Sequence, residues 1–323
     1  MRAMAEATVT PVAAPTVRRL RDYGVYAALG ILVVYNLLFT ENFATLANLN
    51  TQLVQVTPIL IAALGMALVI GTEGVDLSVG SVMALAAALL PLYLGYGLMP
   101  ALLVALLGGA LCGLFSGTLV AVVGIQPIVA TLALLVGGRG LALVLADGRL
   151  KDIRNPTVLE LGSGSVAGIP IVVLIAAVLT LAVGFVVRYT TFGRQLVAVG
   201  GNRSASVLAG LPVRRILIVT YVISGLLAAV AGIVATARLT ASDPSAIGQL
   251  AELSAITAVV VGGTPLNGGR VRILGTVAGA LLMQLISATL IKHNLPTSAG
   301  LLVQAVIIVV AVLLQRPRLA GAK

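Results

Sequence analysis

Residues Val166 to Val187 read VAGIPIVVLIAAVLTLAVGFVV, an apolar run without one charged side chain. Its length matches the ~20 residues a helix needs to cross the hydrocarbon of a bilayer. Transmembrane strands would instead show stretches of about ten residues with alternating polarity, so a barrel is excluded. Helices are the alternative that satisfies every backbone group within hydrocarbon.

Nine comparable runs surround it, at Tyr23–Phe39, Val54–Ile70, Val79–Leu94, Ala101–Val123, Ile128–Ala146, Ile216–Ala237, Leu250–Val261, Ile273–Ile291 and Gly300–Leu314. The chain is therefore read as an all-α, polytopic integral membrane protein with about ten transmembrane helices. Several runs are short or interrupted by glycine, which suits broken or re-entrant helices lining a polar cavity. The mean hydropathy of +1.14, with 9% charged residues, exceeds what a soluble core requires. Residues 1–22 form a polar N-terminal tail, 23–315 the membrane domain, and 316–323 a C-terminal tail. The first run is too long for the ~7–15-residue apolar centre of a signal peptide, so it is read as an uncleaved span.

A net charge of +10 on a soluble chain would suggest nucleic acid. Here the basic residues cluster at span ends, where the positive-inside rule puts them, and nucleic acid is not expected as a partner. With the N-terminus inside, fourteen of the 20 bases fall in cytoplasmic segments and six elsewhere: Arg139, Arg149, Lys151, Arg154, Arg238 and Lys292. The inner loop, 188–215, holds Arg188, Arg194, Arg203, Arg214 and Arg215 and no acid. The outer loop Asp147–Gly164 mixes both signs and suits docking of a soluble partner as well as a plain connection. Lone Cys112 lies in an apolar run and has no disulfide partner.

Two polar breaks interrupt the apolar pattern. GTEGVDLSVG, Gly71–Gly80, places Glu73 and Asp76 in a region from Asp22 to Gly138 without Lys or Arg. A carboxylate at bilayer depth costs about 2.5–3.5 kcal/mol on insertion scales, so it needs donors, a water-filled cavity or a functional role. Asp76 suits a cap on the first turn of the following helix and also a ligand contact. The second break, Gly124-Ile125-Gln126-Pro127, puts Pro127 at a helix start; Gln126 and Thr131 suit a neutral polyhydroxy ligand or helix-to-helix bonds. Asp76, Ser78, Gln126 and Thr131 are the candidate path residues. The stretch Val69-Ile70-Gly71-Thr72 is echoed by Val260-Val261-Gly262-Gly263, six spans later and so running in the same direction, as in a parallel repeat.

In the basic loop, Asn202 or Ser204 can cap a helix of two turns that Gly210 and Pro212 terminate. Such a knob, held between two spans, suits a partner's groove. Three lysines, none in a GxxxxGK[ST] loop, exclude ATP binding through a P-loop. One histidine and one cysteine leave no metal cluster and no Cys/His nucleophile, so neither a cofactor nor an enzymatic activity is expected.

The set GTEGVDLSVGS, GIQPIVATLALLVGGRG, FGRQLVAVGGNRSASVLAGL and ELSAITAVVVGGTPLNGGRVRILGT resembles the permease subunits of bacterial ATP-binding-cassette importers for monosaccharides, the ribose and galactofuranose type. The resemblance covers most of Val54 to Leu314. It implies an inner-membrane subunit that passes a small sugar, a second permease subunit (the same chain or a homologue), an ATPase and an external sugar-binding protein. It also implies coupling through Gly200, Gly201, Asn202, Arg203, Ser204, Ala205 and Gly210. Glu73 stands where the family commonly has a second glycine, and Ser254 where it has an acid. The competing class is a secondary transporter, in which Glu73, Asp76 or Glu252 would carry protons or bind an ion.

Overall fold

The computed structural model describes residues 15–315, with the side chains of 15–22, 297, 299, 308 and 310–315 left aside. Each of the ten apolar runs lies largely on a helix: α1 (Pro15–Phe39), α2 (Leu46–Gly71), α3 (Val79–Tyr93), α4 (Leu98–Thr118, continued by a π-helical turn to Val123), α5 (Pro127–Leu145), α7 (Ile171–Tyr189), α10 (Val213–Leu239), α11 (Ala251–Val261), α12 (Ile273–Lys292) and α13 (Thr297–Gln315). Shorter helices in the connections are α6 (Pro156–Ser163), α8 (Thr191–Gly201) and α9 (Arg203–Leu208). Among the described residues seven helices are long and apolar enough to span a membrane. At 1.5 Å per residue the 11 residues of α11 cover roughly half a bilayer, so it is a half-span.

Two boundaries differ from the sequence reading. Helix α1 reaches back to Pro15, so the last eight residues of the expected tail are helical; residues 1–14 and the C-terminal tail, 316–323, lie outside the described residues. The run that opens at Val166 begins as a hairpin, β2 (Ser165–Val166) with β3 (Ile169–Pro170), and becomes helical at Ile171. Ala167 and Gly168 take positive φ in the turn, and Pro170 sets the entry to α7.

The connections sort onto two faces. Gly71 at the end of α2, Gly200 at the end of α8 and Gly269 before α12 are in mutual contact, so these ends share one face with the basic loop. On the opposite face, β1 (Lys151–Asp152) pairs antiparallel with β4 (Ala241–Ser242), tying the loop after α5 to the loop after α10. Helix α6 packs on α10 there, with Gly162 against the Ala237 carbonyl. Both echoed segments, at the ends of α2 and α11, run toward the basic face, and Gly269 N–H donates to Gly71 O at 3.1 Å.

The core forms around α2, α3, α10 and α11. Helix α4 reaches it through small residues at every fourth position, Ala101, Ala105, Gly109, Gly113 and Gly117. A Cβ at Gly113 would collide with the Tyr221 backbone of α10. Close backbone approach of this kind replaces the hydrophobic drive that lipid does not supply. The other side of α4 exposes Leu103, Leu107, Leu111 and Leu114.

Candidate functional site

The first polar break and Thr131 of α5 meet in the bundle interior, whereas the second break, Gly124–Pro127, stays at the more exposed start of α5. Beyond Gly71 the chain turns through Glu73 at φ 65° and doubles back along α2, so that Asp76 lies against Ser224 in the middle of α10. Three donors satisfy the buried Asp76 carboxylate. Ser78 N–H (3.0 Å) and Ser78 Oγ (2.5 Å) donate to Oδ1, and Ser224 Oγ (2.7 Å) donates to Oδ2. A buried carboxylate survives through such bonds, each worth about 1.5–3 kcal/mol when one partner is charged. Asp76 is not the cap of α3: Ser78 occupies that position and makes no side-chain cap, while Asp76 closes the turn before it.

Thr131 joins the same cluster from α5, accepting Leu77 N–H at 3.1 Å and donating to Pro127 O at 2.9 Å. Ser81 reaches Ser78 O at 2.8 Å and Leu134 O at 3.0 Å. Pro127 does open α5, as its missing N–H allows. Of the four path candidates the structure therefore brings together Asp76, Ser78 and Thr131. Gln126 stands apart, exposed at the start of α5 and without a side-chain cap bond.

Arg139, a base within the apolar run Ile128–Ala146, lies inside α5. Its guanidinium is cradled by backbone carbonyls: Nη1 donates to Ile247 O (2.7 Å) and Pro244 O (2.8 Å), and Nη2 to Gly248 O (3.0 Å) and Gly80 O (3.4 Å). The segment 243–250 is thereby pinned to the start of α3. A Cβ on Gly80 would strike both Gly248 O and Glu252 Oε2, and Gly248 has φ +73°. Glu252 Oε2 is buried there without a hydrogen-bond partner. Sequence reading missed Ser224, Ser81 and Arg139 as site residues; a guanidinium within an apolar run was the one available signal.

On the basic face, Asn202 Oδ1 accepts Ala205 N–H at 2.8 Å and caps α9; Ser204 does not. The turn Ala209-Gly210 ends it, with Gly210 at φ +76°. Gly201, Asn202, Arg203, Ser204, Ala205 and Gly210 are exposed, and Val207 and Leu208 project apolar side chains at 58% and 89% exposure. Gly200 is different: it is buried against Gly71 O and Gly269 N, so it braces the loop and offers no surface. No group of three metal-ligating side chains occurs among the described residues.

The residues 48–312 match the family described as branched-chain amino acid transport system / permease component. The chain is 41% identical to the galactofuranose transporter permease protein YtfT of Escherichia coli K12, across 81% of this chain and 77% of that one. It is 37% identical to the ribose import permease protein RbsC of the same strain, across 90% and 92%. The L-arabinose ABC transporter permease protein AraH of Azospirillum brasilense is 34% identical across 90% and 87%. No solved structure matches. With one family model spanning most of the sequence, and relatives aligned over 77% and 92% of their own length, the chain belongs to this family of transport-system permease components.

Proposed function

We propose that this chain is the multi-pass inner-membrane permease subunit of an ATP-binding-cassette importer that carries a small neutral sugar. It is a transport component rather than an enzyme, and it works with an ATPase and an external sugar-binding protein. The relatives' cargoes, ribose, galactofuranose and arabinose, support the substrate class. The basic face is cytoplasmic on this reading, in keeping with the positive-inside rule, and the ATPase docks on the 188–215 loop.

One arrangement carries the coupling proposal. The exposed α9 knob joins α8, α8 abuts Gly71 through Gly200, and Gly71 leads directly into the segment that ends at Asp76. A push on Asn202–Leu208 thus has a short, backbone-packed route to the interior cluster. Asp76, Ser78 and Thr131 border the path, and Gln126 serves at its inner mouth. Helices α4, α5 and α7 leave most of their residues unburied within the chain, which supports a second permease subunit beside it in the bilayer.

The test is uptake into proteoliposomes that contain the permease, its ATPase and the loaded binding protein. Uptake requiring ATP and all three supports the proposal. Uptake by the permease alone under a proton gradient would establish the ion-coupled class instead.

A further inference from the structure

A cavity of about 580 Å³ opens on the face opposite the basic loop, between the start of α2, the end of α6 and the end of α10. Asn50, Thr51, Gln55 and Ser163 supply its polar lining, Val54 and Leu239 its apolar walls, and Arg238 its charge. No acidic side chain lines it. Arg238 Nε is buried without a hydrogen-bond partner, and no carboxylate pairs with the guanidinium among the described residues. Gln284 Nε2 donates to Gln55 Oε1 at 2.7 Å, which leaves the Gln55 amide N–H groups as donors in the same lining.

A half-buried guanidinium without a counter-charge is costly, and its forked donors match the oxygens of a phosphate. A neutral sugar could fill the space but would leave the charge uncompensated. The cavity sits where α10 ends and α7 begins, so its apolar walls meet the depth at which lipid headgroups lie. Its volume exceeds that of a lone phosphate and leaves room for a glycerol moiety.

We propose that this cavity is a binding site for a phosphate-class anion, carried on an anionic phospholipid of the surrounding leaflet, with Arg238 as the anchoring cation and Asn50 and Gln55 as neutral donors. None of Asp76, Ser78, Gln126 and Thr131 lines this cavity.

The test uses the purified permease in nanodiscs of phosphatidylcholine with or without phosphatidylglycerol, with retained lipid counted by native mass spectrometry. Wild type should retain phosphatidylglycerol at least about fivefold over phosphatidylcholine. Arg238→Gln should lose that preference, and Arg238→Lys should keep part of it. Gln55→Glu preserves the bond from Gln284 while placing a carboxylate in the same cavity as the guanidinium, so it should weaken retention without disturbing the fold. In phosphatidylcholine alone, inorganic phosphate that raises the unfolding temperature of wild type but not of Arg238→Gln would identify a free anion as the source and overturn the lipid assignment. Equal retention by wild type, Arg238→Gln and Gln55→Glu, with no response to phosphate, overturns the site altogether.

Discussion

Ser224 and Asp76 stand 148 residues apart in the chain, yet the Ser224 hydroxyl donates to Asp76 Oδ2 at 2.7 Å in the middle of the bundle. This bond fastens the doubled-back segment 72–78 to α10, the helix that continues from the basic loop. Ser224→Ala removes one of three donors to a buried carboxylate and should lower stability by about 1.5–3 kcal/mol. Asp76→Ala should cost more, because Ser78 N–H and both hydroxyls lose their acceptor, and it should reduce uptake at least tenfold. Thermal unfolding in detergent and initial uptake rates measure the two effects. A fully stable, fully active Asp76→Ala would show that the cluster neither holds the segment nor borders the path.

The docking knob gives a prediction in which folding and coupling separate. Asn202→Ala deletes the cap on α9, worth about 1 kcal/mol locally. Leu208→Asp replaces a side chain that is 89% exposed and so should leave the fold intact. Both variants should insert normally, retain less ATPase on co-purification, and lose most ATP-dependent uptake. If Leu208→Asp holds its ATPase as well as wild type does, the partner docks elsewhere.

Glu73 offers a gain. Its φ of 65° lies in the left-handed region, where a side chain costs roughly 1 kcal/mol or more and glycine costs little. Its side chain is exposed and contributes nothing to the interior cluster. Glu73→Gly should therefore raise the unfolding temperature by a few degrees without reducing uptake. A drop in stability would mean that the carboxylate makes a compensating contact at the membrane surface.

Much of this architecture was legible in the residues. Apolar runs located the ten longer apolar helices; hydrocarbon thickness accounts for the length of the full spans but not for the half-span α11. The breaks at Gly71–Gly80 and Gly124–Pro127 were visible as polar residues in apolar surroundings, and Asn202 before Ala205 was legible as a cap. What stayed hidden depends on tertiary approach. Nothing local marks Ser224 as the partner of Asp76, since a serine in a membrane helix more often bonds its own backbone. Gly200 read as part of an exposed loop, whereas it is buried because Gly71 and Gly269 arrive from distant segments. Arg139 entered the charge census as one more base, since no local pattern reveals that the carbonyls of 244–248 fold down to meet it.

That carbonyl cradle supports the most demanding prediction. The re-entrant segment 243–250 has little apolar side-chain surface of its own, with Pro244 and Ile247 its buried members, and Arg139 bonds three of its carbonyls as well as Gly80 O. Arg139→Met keeps the stem and removes the donors, leaving several carbonyls unsatisfied in a setting with little water, so it should cost more than about 3 kcal/mol. Arg139→Lys retains the charge but not the fork, and should recover only part of the loss. Gly80→Ala tests the same junction sterically, because its methyl group would collide with Gly248 O and Glu252 Oε2 while Arg139 keeps its donors. If the junction fixes the spacing of α3 and α11, all three variants should increase thiol labelling of a cysteine introduced at buried Ile247 in a Cys112→Ser background, and Gly80→Ala should do so with Arg139 intact. Unchanged labelling in Gly80→Ala, together with wild-type stability in Arg139→Met, would mean that the segment is held by contacts other than this cradle.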